Sequence, residues 1–434
     1  MCFFLFFNIL MTIMNTTSEV FKIAASVCMI SFCCILRGQD MWSLERCIGH
    51  AVQNNLLIKQ QELAVIQAKN NVLQSKLDFI PTISATAQIT GETTGASDFI
   101  NTSTMANVST SLPLVNGLAK INTFKSYRTQ LMISGHDIER LCNEISISIT
   151  QAFLQVLLSI EIEACADSSY NSVREQVSRV GKMVEAGSQA YSTLLEIKAQ
   201  LANEKVQLVT ARNNVRSNTL HLVQLLDLQS YDNFKVEYPQ IDVTNCDFDT
   251  ESIDRIYSSA TCMPQIKSAE LALKKSRYDY RIQLGQLLPS ISLTCGYDLY
   301  NFSGCYRFGL SLTVPIFNGW KNFTSVKNAS LNVENKKLEL RKSHQELFKE
   351  ITQAYNNARN SFEKYLAAGA NMEASKESFN YIVKKFDAGM LNSTDYIVAK
   401  ANLFKSQSEF LQAKFQYVFE LKIMDFYKGI PIKL

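Results

Sequence analysis

Apolar residues occupy every second position in four short stretches of this chain and every third or fourth position almost everywhere else. In one stretch Ile291, Leu293, Cys295, Tyr297 and Leu299 alternate with Ser290, Ser292, Thr294, Gly296 and Asp298. A returning run sets Tyr306, Phe308, Leu310, Leu312 and Val314 against Arg307, Gly309, Ser311 and Thr313. Ile83, Ala85, Ala87 and Ile89, then Ala106, Val108, Thr110, Leu112 and Leu114, repeat the pattern more weakly against Ser, Thr, Asn and Gln. A period of two predicts strands with one apolar and one polar face, here as two hairpins. Each run is about ten residues, which suits a half-buried sheet in a soluble protein and also a tilted strand crossing a bilayer. Two hairpins cannot close a barrel, so the bilayer reading requires other copies of the chain to satisfy the open strand edges.

The two hairpins belong to two copies of one longer pattern. Leu112, Pro113, Leu114, Val115, Asn116 and Gly117 match Val314, Pro315, Ile316, Phe317, Asn318 and Gly319 at an offset of 202 residues, and Glu185, Ala186 and Gly187 match Asp387, Ala388 and Gly389 at the same offset. Upstream the offset is 208, where Pro81 meets Pro289 and Glu62, Leu63 and Ala64 meet Glu270, Leu271 and Ala272. The difference falls inside the strand pair, giving the first hairpin the longer loop. Such a duplication predicts two structurally equivalent repeats.

Between Pro113 and Gly187, and again between Pro315 and Gly389, helical periodicity runs without an intervening proline, as in Ile145, Ile149, Phe153, Val156, Leu157 and Ile160. A continuous helix of that length reaches on the order of 100 Å. Shorter helical stretches, 192–226, 252–287, 392–427 and 43–79, serve as half-length return paths, and the protomer is expected to close on itself with both hairpins at one end and the Gly187 and Gly389 turns at the other. The division is a leader over 1–38, a first repeat over 39–226 with its hairpin near 82–114, a connector over 227–251, a second repeat over 252–428 with its hairpin near 290–316, and a short tail over 429–434.

Composition fits an elongated helical molecule. Helical stretches such as 196–218 mix Ala, Gln, Asn, Lys and Glu with intermittent Leu and Val, as a narrow packing seam requires. The 434 residues carry a net charge of +3 with Lys and Arg dispersed, which gives no support to nucleic acid as a partner. Lys22 precedes an apolar run over 23–36, followed by Arg37, Gly38 and Gln39, the layout of a secretory signal peptide with Gln39 first in the mature chain. An earlier apolar run over 3–13 is explained by translation starting at Met11 or Met14, or by a signal anchor built from both runs. Cys33 and Cys34 raise a lipoprotein reading, against which stands the lack of a small residue before them.

Cys47, Cys142, Cys165, Cys246, Cys262, Cys295 and Cys305 remain after the leader, an odd number without metal-ligand spacing. Cys295 and Cys305 fall on opposite faces of their hairpin, which argues against a bridge between them. His50, His136, His221 and His344 are read as isolated on helices, with no carboxylate or thiol at ligand spacing. No catalytic, cofactor-binding or metal-binding constellation emerges, and the chain is read as a non-enzyme.

Trp42, Ser43, Leu44, Glu45, Arg46, Cys47 and Ile48, with Ala51, Asn54 and Asn55, then Phe79, Ile80 and Pro81, then Pro315, Ile316, Phe317, Asn318 and Gly319, and the Ala388-Gly389 turn followed by Asp395, together resemble the TolC-type outer-membrane efflux proteins. The resemblance spans about 39–429. It implies a homotrimer whose protomers give four strands each to a shared twelve-stranded barrel in outer-membrane lipid, continuing into a helical tunnel across the periplasm. It further implies an exit duct for efflux or type I secretion, working with a periplasmic adaptor and an inner-membrane transporter. Pro113, Gly117, Pro315 and Gly319 would mark the strand-to-helix transitions, and Gly187 and Gly389 the periplasmic tip. Family members guard that tip with aspartates; Asp395 falls at such a position, Thr193 stands at its counterpart in the first copy, Val398 replaces a second acid, and Glu196 is a further gate candidate. The tail is shorter than in the family, implying a reduced belt around mid-tunnel. The alternative is a non-conducting coiled-coil stalk or surface-anchored adhesion protein.

Overall fold

The computed structural model describes residues 41–93, 100–228, 234–239, 252–300 and 303–434. The leader, Gln39, Cys246, much of the 227–251 connector and the two hairpin tips lie outside the described residues. The chain runs β1 (Met41–Trp42), α1 (Leu44–Asn54), α2 (Leu56–Leu77), β2 (Thr82–Thr93), β3 (Ile100–Asn116), α3 (Ala119–Glu185), α4 (Tyr191–Leu225), β4 (Lys235–Val236), α5 (Ile253–Ala260), α6 (Pro264–Gly285), β5 (Ser290–Tyr300), β6 (Ser303–Thr313), α7 (Lys321–Asp387) and α8 (Ser393–Tyr427). α3 and α7 have 67 residues each, about 100 Å at 1.5 Å per residue.

Four strands form one antiparallel sheet in the order β2-β3-β5-β6. Ile291 faces Leu312, Leu293 faces Leu310, Cys295 faces Phe308 and Tyr297 faces Tyr306, so the apolar face is continuous across the hairpin as the alternation requires. Cys305 lies opposite Asp298, and both Cys295 and Cys305 are free thiols. On the polar face Asp298 accepts hydrogen bonds from Asn107 on β3 and Arg307 on β6.

The sequence reading needs four corrections. Leu114 does not continue the apolar row: the register shifts between Pro113 and Val115, so Val115 faces Ile291. Proline has no N–H to give the ladder, and a bulge beside it absorbs the lost bond. In the first copy the strand-to-helix swivel lies beyond Pro113, because β3 runs through it to Asn116, whereas in the second β6 ends at Thr313 and Pro315 stands between strand and helix. The chain turns at Gly117-Leu118 and Gly319-Trp320, four consecutive-pair residues with φ of 60°, 61°, 62° and 64°. Third, two of the half-length helices are broken. Asn55 ends α1 and caps α2, its side chain accepting the Leu57 N–H at 2.9 Å and donating to the Leu225 carbonyl at 3.3 Å, and Pro264 starts α6 at the position where its missing N–H costs nothing.

Fourth, the protomer does not close on itself. On the strand side α2 packs on α3, α3 on α6 and α6 on α7; on the other side α4 packs on α3, α3 on α8 and α8 on α7. The result is an open helical layer whose outer members are α2 and α4 along one edge and α7 along the other. β2 and β6 are likewise the outer strands of the sheet. Closure would require α2 to pack against α7, and α2 spends its one buried face, Ile58, Ala68 and Ser75, on the α3 side.

At mid-height Ile149, Phe153, Val156 and Leu157 of α3 are buried under Leu44, Cys47 and Ala51 of α1, Leu222 and Leu226 at the end of α4, and Phe415 and Val418 of α8. α3 is long and apolar enough to span a membrane, and this packing accounts for that composition. Ile432 and Leu434 of the tail join the same cluster. β1 pairs in parallel with β4, and Trp42 stacks near Phe234 at 5.5 Å, strapping the chain's start to the connector. Tyr238, next in that strap, donates to Glu161 of α3; burial first, and then that carboxylate, push its phenol up to about 12.

Candidate functional site

The end of the molecule away from the sheet is built by two turns that match atom for atom. Gly187 has φ +73° and Gly389 φ +71°, a left-handed conformation that glycine adopts without a Cβ penalty. The Gly187 N–H donates to Val184 O at 3.0 Å and Ser188 N–H to Met183 O at 2.9 Å; Gly389 N–H donates to Phe386 O and Met390 N–H to Lys385 O, both at 2.9 Å. Both are Schellman closures of a long helix. The following helices start differently. Asn392 caps α8 by accepting the Asp395 N–H at 2.9 Å, whereas Ala190 gives α4 no side-chain cap.

Asp395 is exposed in the first turn of α8 and lines an open groove of about 680 Å³ between α7 and α8, with Tyr381, Lys385, Leu391, Val398 and Asn402. Lys385 sits 4.4 Å above the Tyr381 ring in that groove, so the carboxylate shares its surroundings with a cation. Thr193 is half-buried on α4, its N–H bonded to Ala190 O at 3.1 Å, and is not part of the groove. Glu196 accepts a hydrogen bond from Ser393, which ties the first turns of α4 and α8 together two residues from Asp395. The fold thus brings Glu196 and the start of α8 together and keeps Thr193 apart.

Sequence reasoning missed the polar residues buried just above this tip. Tyr396 is 1 % exposed between Phe379 and Phe386, with ring centroids at 5.6 and 5.2 Å, and burial raises its pKa. Gln176 of α3 donates to Asp387 at 3.3 Å and accepts from Arg179 at 2.9 Å. Glu204 of α4 is 2 % exposed; Gln200 donates to one carboxylate oxygen at 2.8 Å and the other has no hydrogen-bond partner among the described residues. Lys400 of α8, 5.0 Å above the Phe379 ring, has its pKa lowered by burial and partly restored by Glu204. These residues sit at ordinary seam spacings, and only a charge at a seam position, Glu204 or Lys400, could have signalled them. His136, read as isolated, has Glu139 one turn away at 2.9 Å, an exposed-rim helix pair that the (i, i+3) spacing permits. His344 meets the Tyr257 hydroxyl at 3.1 Å.

The profile of the family described as "Outer membrane efflux protein" matches residues 47–227 and 256–421, most of the chain and both copies of the repeat. The chain belongs to the outer membrane efflux protein family. Among its relatives is the alkaline protease secretion protein AprF of Pseudomonas aeruginosa, 20 % identical over 357 residues, covering 78 % of this chain and 73 % of the relative. Another is the outer membrane protein TolC of Escherichia coli, 20 % identical over 344 residues, 71 % of this chain and 67 % of TolC. In fold it superposes on the CmeC outer membrane channel of Campylobacter jejuni with a TM-score of 0.78 at 19 % identity, covering 90 % of this chain and 87 % of CmeC. This outer membrane efflux protein is a channel of the outer membrane that reaches into the periplasm. The apolar sheet face is accordingly the lipid face, and the Ser, Thr, Asn and Gln face the lumen.

Proposed function

We propose that three copies of this outer membrane efflux protein assemble head to tail into a twelve-stranded barrel and a helical tunnel that form a passive exit duct, fed by an inner-membrane transporter through a periplasmic adaptor. One observation carries the reading: the sheet and the helical layer are both left open, β2 with α2 and α4 on one side and β6 with α7 on the other. Open strand edges are not tolerated in lipid, and four strands are half of the smallest barrel that side chains can fill. The chain itself performs no chemistry in this scheme, since transport energy enters from the inner-membrane partner.

At the tip, the Gly187 and Gly389 turns hold the first turns of α4 and α8 around the axis, and Asp395 contributes one carboxylate per copy to a constriction that attracts cations and repels anions. Glu196, engaged by Ser393, acts as a tie between the two hairpins, and Lys385 tempers the acidity of the groove. Asp395→Asn is expected to raise single-channel conductance in planar bilayers severalfold and to weaken cation preference. Conductance and selectivity equal to the unmodified channel would remove Asp395 from the gate.

A further inference from the structure

The polar face of the sheet carries charge at one level. Over residues 82–91, 103–116, 290–300 and 303–313 the only charged side chains are Asp298 and Arg307, both on the lumen face. Asp298 Oδ2 accepts from Arg307 Nη2 on β6, and Asp298 Oδ1 accepts from Asn107 Nδ2 on β3. Both carboxylate oxygens are engaged, and three strands meet at one residue. Gly296 lies directly opposite Arg307; with no side chain in the way, the guanidinium leans across to Asp298 on the diagonal. The side chain of Asp298 is 16 % exposed and that of Arg307 71 %. The lumen therefore meets the cation, with the acid behind it against the wall.

The repeat shows that holding the strands together does not need this pair. Thr90 and Ser103 of the first hairpin are the counterparts of Asp298 and Cys305, and they join β2 to β3 by a hydroxyl-to-hydroxyl bond at 2.6 Å. Met105 stands at the counterpart of Arg307. Deeper in the sheet both copies keep hydroxyls on this face, with Ser84 opposite Ser109 and Ser292 opposite Ser311. The ion pair is a departure of the second copy alone.

Its depth is marked on the apolar face. Tyr297 and Tyr306, each next in the chain to one member of the pair, face each other with ring centroids 4.9 Å apart. On the side toward the helices Leu293 opposite Leu310 and Ile291 opposite Leu312 continue the apolar row. Tyrosines bordering an apolar band mark the membrane-water interface of a barrel. β5 ends at Tyr300, so the pair lies at the end remote from the periplasm, level with the outer interface. A twelve-stranded barrel measures about 24 Å across its backbone, and side chains narrow that bore. Any ion crossing this level passes within about one Debye length, ~10 Å at 0.1 M salt, of a guanidinium. The hydrocarbon around the barrel concentrates the field in the lumen.

We infer that the three Arg307 guanidiniums of an assembled channel form a fixed, anion-attracting collar just inside its outer mouth, a selectivity element opposite in sign to Asp395 at the tip. The inference rests on the three-copy duct of the proposed function. Asp298 and Asn107 act as positioning residues that hold the guanidinium in place. Because each guanidinium is paired, the collar is a ring of dipoles with cationic ends toward the axis, short in reach and weakened by salt. Multivalent oxyanions arriving from outside are drawn to it, since the guanidinium N–H groups match oxyanion geometry, and external cations are held back.

The test is the reversal potential of the full-length channel in planar bilayers under a potassium chloride gradient. Arg307→Gln leaves the carboxylates unpaired and is expected to raise the potassium-to-chloride permeability ratio about twofold at 0.1 M salt. Asp298→Asn leaves the guanidiniums unpaired and is expected to lower the ratio by a similar factor. Arg307→Lys keeps the charge and is expected to hold the unmodified ratio. A second measurement needs no variant to fold: inorganic tripolyphosphate added on the barrel side is expected to reduce the conductance of the unmodified channel, and Arg307→Gln to abolish that block. A pair that only staples strands would lower the thermal stability of both variants without moving the reversal potential in opposite directions. That result, or a tripolyphosphate block absent from the unmodified channel or unchanged in Arg307→Gln, overturns the collar. An unmodified protein that does not conduct overturns the duct on which the collar rests.

Discussion

At the residue scale, two glycines with nearly the same backbone face very different surroundings. Gly389 has φ +71° with open space around it, and Gly117 has φ +60° with the Gly285 carbonyl 2.2 Å from where a Cβ would stand. Gly389→Ala is therefore expected to cost only the left-handed strain, about 1 kcal/mol. Gly117→Ala adds overpacking against backbone and is expected to cost about 3 kcal/mol. Thermal unfolding of the two variants in detergent checks the contrast, and equal losses would mean that the Gly117–Gly285 approach carries no energetic weight. The glycines were legible in the sequence through their matched contexts, but the crowding of one and the freedom of the other were not. That difference depends on which helix end crosses the turn, a contact 168 residues distant in sequence between Gly117 and Gly285.

At the element scale, the polar residues inside the tip coils decide how the two long hairpins hold each other. Glu204 on α4 is buried with one oxygen unpartnered, and Lys400 on α8 is the cation that burial and Phe379 surround. Removing one buried charge leaves the other uncompensated. Glu204→Leu is expected to destabilise the protein by about 3 kcal/mol, because Glu204 is the group that favours the buried Lys400 charge, and adding Lys400→Met to recover most of that loss in chemical unfolding. A double variant no more stable than the single one would show that the two groups are independent. The pH sign follows from the lowered Lys400 pKa: the folded state releases this proton more readily than the unfolded chain, so its contribution to stability rises as pH climbs through the lowered value and levels off above the ordinary lysine range. Strand parity was readable because a period of two fixes the face of every residue. The breaks at Asn55 and at residues 261–263 were not, because helical periodicity continues on either side of each.

For the whole molecule, the proposed duct has a defined shape. Helices of 67 residues give a tunnel about 100 Å long, extended by strands of 11 to 17 residues. Electron microscopy of the detergent-extracted protein is expected to show three-fold particles longer than about 100 Å with a stain-filled axial channel. A solid rod would favour the non-conducting stalk, and a compact monomer would exclude both. Strand faces, the doubled architecture, the long helices and the two tip turns were all legible before any coordinates, because each depends on local periodicity or on a repeated string of residues.

The sequence by itself determined where the strand pairs and the long helices fall, which face of each strand is apolar, and that one unit occurs twice, since these follow from backbone geometry and from residues close along the chain. Only the tertiary structure decided that the protomer stays open, that β3 continues through Pro113 before the turn at Gly117-Leu118, and that Glu196 bonds Ser393 while Asp395 faces a separate groove. Those outcomes depend on which helices lie side by side, and the order α2-α3-α6-α7 is set by packing between segments far apart in the chain. A narrow apolar seam records that a helix has a neighbour; it does not record which one.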